Sequence, residues 1–258
     1  MLTQREREAR CRNYLEHLYE VFKFLVAQPT IAANCPEMLA SCSGLETSLA
    51  AHKASPRSRK WELDLKPNWE IPVLPNPVHG VPVAAKLIIG GRIQVSDVPH
   101  IDQSINASIL VTAVRQIRRN SNAHAEPLRP GERAIIRRFH FDYDTALTGN
   151  DRPRSHLQYG GKFLPSVVQT RSIRYSLFSG LEFPRIPFPP YDLVLTLDLF
   201  LRQFSTPLSD LIRENRWVNL VKQSERLWLR GYFEEIAVCL RQANRPVYSH
   251  LCEHVDWA

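Results

Sequence analysis

Apolar residues recur at helical spacing near the start of the chain. From Thr3 to Ala27 an apolar stripe follows a charged beginning, and Gln28-Pro29 ends the pattern. A repeat of about 3.6 residues predicts an amphipathic helix whose apolar side faces a core. A second helix is predicted over Pro36 to His52, where leucines and a methionine recur at similar intervals.

Helical spacing returns in the last third of the chain. Leucines between Leu193 and Phe204 predict a mostly apolar, buried helix with Asp192 in the N-cap position. Asp198 interrupts this apolar run and is a candidate for the polar centre of a neighbouring sheet. Beyond Pro207 an apolar stripe continues to about Gln242 and predicts further helix.

The middle of the chain predicts strands. Val83–Ile89 and Arg92–Val98 flank two glycines, so they form either a hairpin or one long strand bent at the glycines. Ser104–Arg119 fits a helix or a strand, but its β-branched residues favour a strand that pairs antiparallel with Ile135–Asp144. The proline-rich segment Trp61–His79 predicts neither helix nor central strand, but an extended segment lying over the sheet. Its anchors are two buried indoles, Trp61 and Trp69.

These elements together predict an α+β fold. We expect an antiparallel sheet of about four or five strands, flanked by an N-terminal helix and C-terminal helices. No internal repeat or clear linker divides the chain, so residues 1–258 are expected to form a single domain. Its N-terminal helical part is 1–60, its mainly β part is 61–183, and its C-terminal helical part is 184–258.

The strand predicted at Ile135–Asp144 carries candidate chemistry on one face. Alternation places Ile135, Arg137, Phe139, Phe141 and Tyr143 on one side, and Ile136, Arg138, His140, Asp142 and Asp144 on the other. After a turn rich in Gly, Asn, Asp and Pro, the run Ser155–Tyr159 can return antiparallel. His156 and Gln158 then lie near Asp142 and His140, provided that the register puts them on the same face. A slip of one residue would point them away.

Two imidazoles with carboxylates and guanidinium groups suit acid–base chemistry on a phosphodiester. The candidate catalytic residues are His140, His156, Asp142 and Gln158. The candidate phosphate ligands are Arg138 and Arg154, whose planar guanidinium groups match a phosphate, while the predicted pairing of strands gathers Arg115, Arg118 and Arg137 at one end of the sheet. A structural polar cluster or a binding surface is the alternative interpretation of the same residues.

The formal net charge of +7 indicates attraction to nucleic acid or to an acidic protein. Of the nucleic acids, we expect RNA more than DNA as the partner. Many basic proteins bind neither, so the charge alone does not choose between these roles.

The five cysteines form no CxxC pair, the N-terminus has a charged helical start rather than a signal peptide, and no apolar run is long enough to span a bilayer. The sequence therefore predicts a cytoplasmic protein without membrane contact. We expect no metal and no cofactor. His250, Cys252 and His254 would share a face in an extended tail, but a fourth ligand is not visible.

The pattern F-H-F-D-Y-D, a spacer and S-H-L-Q-Y-G-G resembles uncharacterised bacterial protein families, some of them encoded near toxin–antitoxin or phage-defence genes. The likeness extends to Pro184–Phe204. It implies a defence-linked or nucleic-acid-linked role. With the positive charge and the apolar helical stripes, this predicts a binding or adaptor component of such a system, with a partner encoded in the same locus. The alternative from the residues is a metal-independent, toxin-like ribonuclease.

Overall fold

The protein was analysed as a computed structural model that describes residues 3–54, 60–74, 83–95, 101–113, 130–131, 133–143, 155–159, 173–175 and 185–242. The helices are α1 (Gln4–Val26), α2 (Pro29–Asn34), α3 (Pro36–Ala54), α4 (Leu193–Gln203) and α5 (Asn215–Gln242), with a 3-10 helix at Ser209–Arg213. The strands are β1 (Trp61–Asp64), β2 (Trp69–Val73), β3 (Val83–Val95), β4 (Ile101–Ala113), β5 (Arg133–Tyr143), β6 (Ser155–Tyr159), β7 (Ile173–Tyr175) and β8 (Arg185–Pro187).

The helix ends follow from local capping chemistry. Thr3 and Glu6 form a capping box at the start of α1, in which each side chain accepts from the other residue's backbone N–H. Asp192 caps α4, because its Oδ1 accepts from the Leu195 N–H at 2.9 Å. The predicted helices at Thr3–Ala27, Pro36–His52 and Leu193–Phe204 are therefore confirmed to within a turn.

The strands form one eight-stranded sheet in the order β1-β3-β4-β5-β6-β8. β2 pairs with β3 beside β1, and β7 pairs with β5 in the single parallel contact among the described strands. The α+β class is confirmed. The sheet is larger than the four or five strands expected, because short strands extend it on both sides.

The proline-rich segment supplies two of these strands. β1 and β2 pair antiparallel with the two halves of β3, where only an extended segment over the sheet was expected. Pro72 fits within β2 because β3 is its only partner among the described strands, and a proline that faces a free edge loses no ladder hydrogen bond. Trp61 and Trp69 are buried, as predicted.

The two glycines of β3 lie inside one continuous strand, so the long-strand alternative is correct and the hairpin is not formed. Gly91 has a φ of 148°, and a Cβ there would collide with the Ser104 carbonyl on the neighbouring strand. A Cβ at Gly90 would meet the Asn68 side chain. Glycine at both positions lets β3 pass close to its neighbours.

β4 is a strand along the described part of Ser104–Arg119, and it pairs antiparallel with β5 as predicted. A bulge shifts the register so that Ile109 lies opposite Arg137 but Leu110 lies opposite Ile135. Directly opposed residues share a face, so Ile135 lies on the face of Leu110. The prediction that Ile135 shares a face with Phe139 is wrong, because the bulge breaks the alternation.

The helices pack against one face of the sheet. The apolar odd-numbered residues of β4 from Ile101 to Val111 belong to this core, together with Phe141 and Tyr143 of β5. Trp228 of α5 contacts Tyr14 of α1 and Tyr143 edge-on, with ring centroids 5.0 and 5.3 Å apart. Elements from both ends of the chain therefore share one core with the sheet. None of the helices in the described ranges has the length and apolar character that crossing a bilayer requires.

Candidate functional site

The predicted hairpin between β5 and β6 brings the candidate residues onto one face. Asp142 lies opposite His156, and His140 lies opposite Gln158. Because directly opposed residues in an antiparallel pair share a face, all four side chains lie together. The structure thus has the register on which the predicted cluster depended, rather than the one-residue slip.

Asp142 joins the two imidazoles. Its Oδ1 is 3.1 Å from His140 Nε2, and its Oδ2 is 3.3 Å from His156 Nε2. The hydroxyl of Ser104, opposite Asp142 on β4, is 2.7 Å from His140 Nε2. We call these four residues, Ser104, His140, Asp142 and His156, the histidine–aspartate cluster.

The cluster keeps its carboxyl ionised. Burial alone would raise the pKa of Asp142, but the hydrogen bond with His156, the charges of both histidines and the Ser104 hydroxyl outweigh it, so that the pKa lies below its ordinary value. Asp142 is therefore a carboxylate at neutral pH, and it is bound to both imidazole rings.

β4 contributes polar residues whose place at the site was not predicted from the sequence. Ser104, Asn106 and Ser108 lie on the face of the cluster, and Asn106 Oδ1 accepts a 2.9 Å hydrogen bond from Arg138 Nη2. The alternation of polar and apolar residues in IDQSINASILV was the available signal. It could not be used fully, because the register between β4 and β5 does not follow from the sequence.

Exposure separates the candidate residues into two groups. The side chains of His140 and Asp142 keep 22% and 21% of their accessible surface. His156, Gln158 and Arg138 are buried, with 3%, 5% and 6% exposed. A ligand from solvent therefore meets His140 and Asp142 before it meets the three buried side chains.

One predicted residue lies elsewhere, and the side chains of others fall outside the described residues. Asp198 does not face the polar centre of the sheet, because its carboxylate accepts from Arg202 Nε at 2.7 Å and from Trp217 Nε1 at 2.9 Å. The other predicted positions whose side chains lie outside the described residues are Arg115, Arg118, Arg137, Asp144, Arg154, His250, Cys252 and His254.

The contacts of His140 decide what the cluster can do. A serine nucleophile relay needs the hydroxyl and the carboxylate on different nitrogens of the imidazole. Here Ser104 and Asp142 both contact Nε2, so the geometry does not match that relay. The cluster instead offers a polar surface with one accessible imidazole and one accessible carboxylate. Within the described ranges, no three His, Cys, Asp or Glu side chains are grouped to hold a metal ion.

A second polar group is sealed in the core on the opposite face of the sheet. Ser224 Oγ donates to Asp192 Oδ2 at 2.9 Å and lies 2.7 Å from His17 Nε2. All three side chains are at most 1% exposed. Burial raises the pKa of Asp192 to about 6 and lowers the pKa of His17 to about 4. This chain of polar groups has no contact with solvent, so we assign it to the core and not to a ligand site.

Comparison with known proteins gives no relative: no family model matches the chain, and no curated protein or solved structure matches it significantly. The interpretation of the site therefore depends on its geometry.

Proposed function

We propose that the protein binds nucleic acid through the sheet face that carries the histidine–aspartate cluster, as a binding or adaptor component without chemistry of its own. The observation that carries the proposal is the partly exposed pair of His140 and Asp142, supported by buried Arg138 and His156. A chain of net charge +7 favours a phosphate backbone, and Arg138 adds a cation to this face of the sheet.

RNA fits this pair better than DNA. His140 can donate to a phosphate oxygen, and the Asp142 carboxylate beside it can accept from a ribose 2′-hydroxyl, which DNA lacks. Ser104 adds a hydroxyl that can donate or accept. A ligand with both an anion and a neutral hydroxyl therefore satisfies the accessible groups of the cluster.

Accessibility favours binding over catalysis. A ribonuclease with paired histidines needs both imidazoles within reach of the reacting phosphodiester. His156 is only 3% exposed, so a phosphate in contact with His140 does not reach the second ring without a rearrangement of the site.

The test is fluorescence anisotropy with a labelled single-stranded RNA and the DNA of the same sequence, at about 50 and 200 mM salt. We expect RNA to bind more tightly, with affinity falling as salt rises. His140→Gln should weaken RNA binding roughly fivefold, equivalent to about 1 kcal/mol, because it removes the accessible imidazole.

Lys222→Gln is the matched control, since Lys222 is an exposed cation on α5, in the helical layer on the other side of the sheet. It should leave binding nearly unchanged. The proposal is rejected if neither RNA nor DNA associates in a salt-sensitive way, or if the two variants weaken binding equally.

The adaptor part of the proposal has its support in the resemblance of the FHFDYD…SHLQYGG pattern to bacterial families encoded near defence or toxin–antitoxin genes. Under this proposal the protein acts in the cytoplasm with a protein partner from the same locus. Copurification with the products of neighbouring genes tests it, and the adaptor role is withdrawn if none of them associates with the purified protein.

A metal-independent ribonuclease is the second candidate, favoured by the contact of both imidazoles with one carboxylate. His140 would take the proton of a ribose 2′-hydroxyl while the 2′-oxygen attacks the phosphorus. His156 would protonate the departing 5′-oxygen, leaving a 2′,3′-cyclic phosphate. Arg138 and Gln158 would stabilise the phosphate after an opening of the site. RNA cleavage in EDTA that persists when both histidines are replaced by alanine would reject this candidate.

A further inference from the structure

The last turns of α5 present apolar side chains to solvent. Phe233 is 53% exposed and Leu240 is 66% exposed, although both are large hydrophobic residues. They lie seven residues apart, so they share one side of the helix, with the small side chain of Ala237 between them. Earlier in the helix, Trp217 and Trp228 are fully buried. The burial of α5 in the core therefore weakens towards its C-terminal end.

Two charged residues flank this apolar strip on one side. Glu234 follows Phe233, and Arg241 follows Leu240, so the two charges also lie seven residues apart on a common flank. Arg230 Nε donates to Glu234 Oε1 at 2.8 Å within the helix, in a pair that is largely exposed. The acidic position on this flank thus lies about one turn from Arg230 and about two turns from Arg241.

We propose that this strip is the contact between two copies of the chain, with the C-terminal halves of their α5 helices packed antiparallel about a two-fold axis near Ala237. Because the two helices run in opposite directions about this axis, Phe233 of each copy lies beside Leu240 of the other, which gives two equivalent contacts. It also brings Glu234 opposite Arg241, twice, because equivalent flanks meet in an antiparallel helix pair. The small Ala237 side chain allows the helices to approach closely at the axis.

Charge complementarity is what selects a second copy as the occupant. The strip and its flank are self-complementary: Phe233 meets Leu240 and Glu234 meets Arg241 under one two-fold rotation, as an isologous interface requires. A partner of different sequence would need no such internal match. The strip is short compared with the roughly 800 Å² per partner of a standard interface, so we expect a dissociation constant on the order of micromolar.

The experiment is sedimentation velocity on the full chain at about 2 and 100 µM, concentrations that bracket a micromolar dissociation constant. The wild type should shift from monomer to dimer over this range. Glu234→Arg alone and Arg241→Glu alone should each remain monomeric at the higher concentration, because each places like charges opposite each other in both pairs. Circular dichroism confirms that the variants, changed at exposed positions, keep their helical content.

Mixing the two single variants gives the decisive measurement. In the mixed dimer both pairs are again opposite in charge, so an equimolar mixture should dimerise although neither variant does so alone. Lys222→Glu, an exposed reversal on the same helix but outside the strip, should dimerise like the wild type. The proposal is overturned by a wild type that stays monomeric, by single variants that dimerise normally, or by a mixture that does not dimerise.

Discussion

Asp192 and His17 lie at the two ends of one buried hydrogen-bond chain, with the Ser224 hydroxyl between them. Burial disfavours the charged form of each group, so it raises the pKa of Asp192 to about 6 and lowers the pKa of His17 to about 4. As pH falls from about 6 to 4, folded Asp192 takes up its proton before the unfolded chain does, which adds stability. Between about 6.5 and 4 the unfolded chain protonates His17 first, which removes stability.

As pH falls, Asp192 should therefore raise the free energy of unfolding and His17 should lower it, each by roughly 3 kcal/mol. Asp192→Asn, which retains a capping side chain, should make the free energy of unfolding fall more steeply between pH 6.5 and 4. His17→Gln should make it fall less steeply, or rise. Urea unfolding at several pH values measures both slopes, and equal slopes in both variants would contradict the assignment.

Asp142 shows the opposite sign at the candidate site. Its pKa is lowered despite burial, because the histidines and Ser104 stabilise the carboxylate. Its contribution to stability is present at neutral pH and is lost as pH falls below about 4. Asp142→Asn should lower the free energy of unfolding by about 1–3 kcal/mol at pH 7, and it should remove the part of that free energy that is lost in acid. Asp210→Asn, at a position with a 93% exposed side chain, is the control and should change neither quantity in urea unfolding.

At the scale of elements, the strands β5 and β6 that hold the site could be predicted from the sequence. The neighbouring strands β3 and β4 could be predicted only in part. Alternation in FHFDYD and SHLQY indicates two facing strands, but the sequence leaves a slip of one residue open, and only the structure places Asp142 opposite His156. The bulge at Ile109 and Leu110 has no such signal, because it depends on how β5 meets both β4 and β7. Two adjacent glycines fit a turn or a bend equally, so β3 could not be decided from its sequence alone.

Gly91 provides the test at this scale. Gly91→Ala should lower the free energy of unfolding by at least about 2 kcal/mol, because the residue has a positive φ and the new Cβ would collide with the Ser104 carbonyl. Gly44→Ala, at an exposed position of α3 with open space around it, should instead stabilise by about 0.5–1 kcal/mol. Thermal unfolding of both variants checks the contrast, and two losses of similar size would contradict the strand geometry of β3.

At the scale of the whole molecule, the sheet separates two kinds of polar chemistry. The helix-covered face seals Asp192, Ser224 and His17 within apolar packing, while the other face carries the histidine–aspartate cluster with part of its surface open. The sequence predicts which residues share a strand face. It does not predict that His156 is buried while His140 is accessible, because burial depends on packing between distant segments. That difference is why we propose binding rather than catalysis.

Trp228 tests whether the two ends of the chain and the sheet unfold together. Its ring packs edge-on against Tyr14 of α1 and Tyr143 of β5, so three elements distant in sequence meet at one side chain. Trp228→Ala should lower the free energy of unfolding by about 3–5 kcal/mol, because it leaves a cavity in the core. If the core is one cooperative unit, far-ultraviolet circular dichroism and the fluorescence of the remaining tryptophans will lose their signals at the same, lower urea concentration. Separate transitions, with only the helical signal shifted, would show instead that the helices fold independently of the sheet.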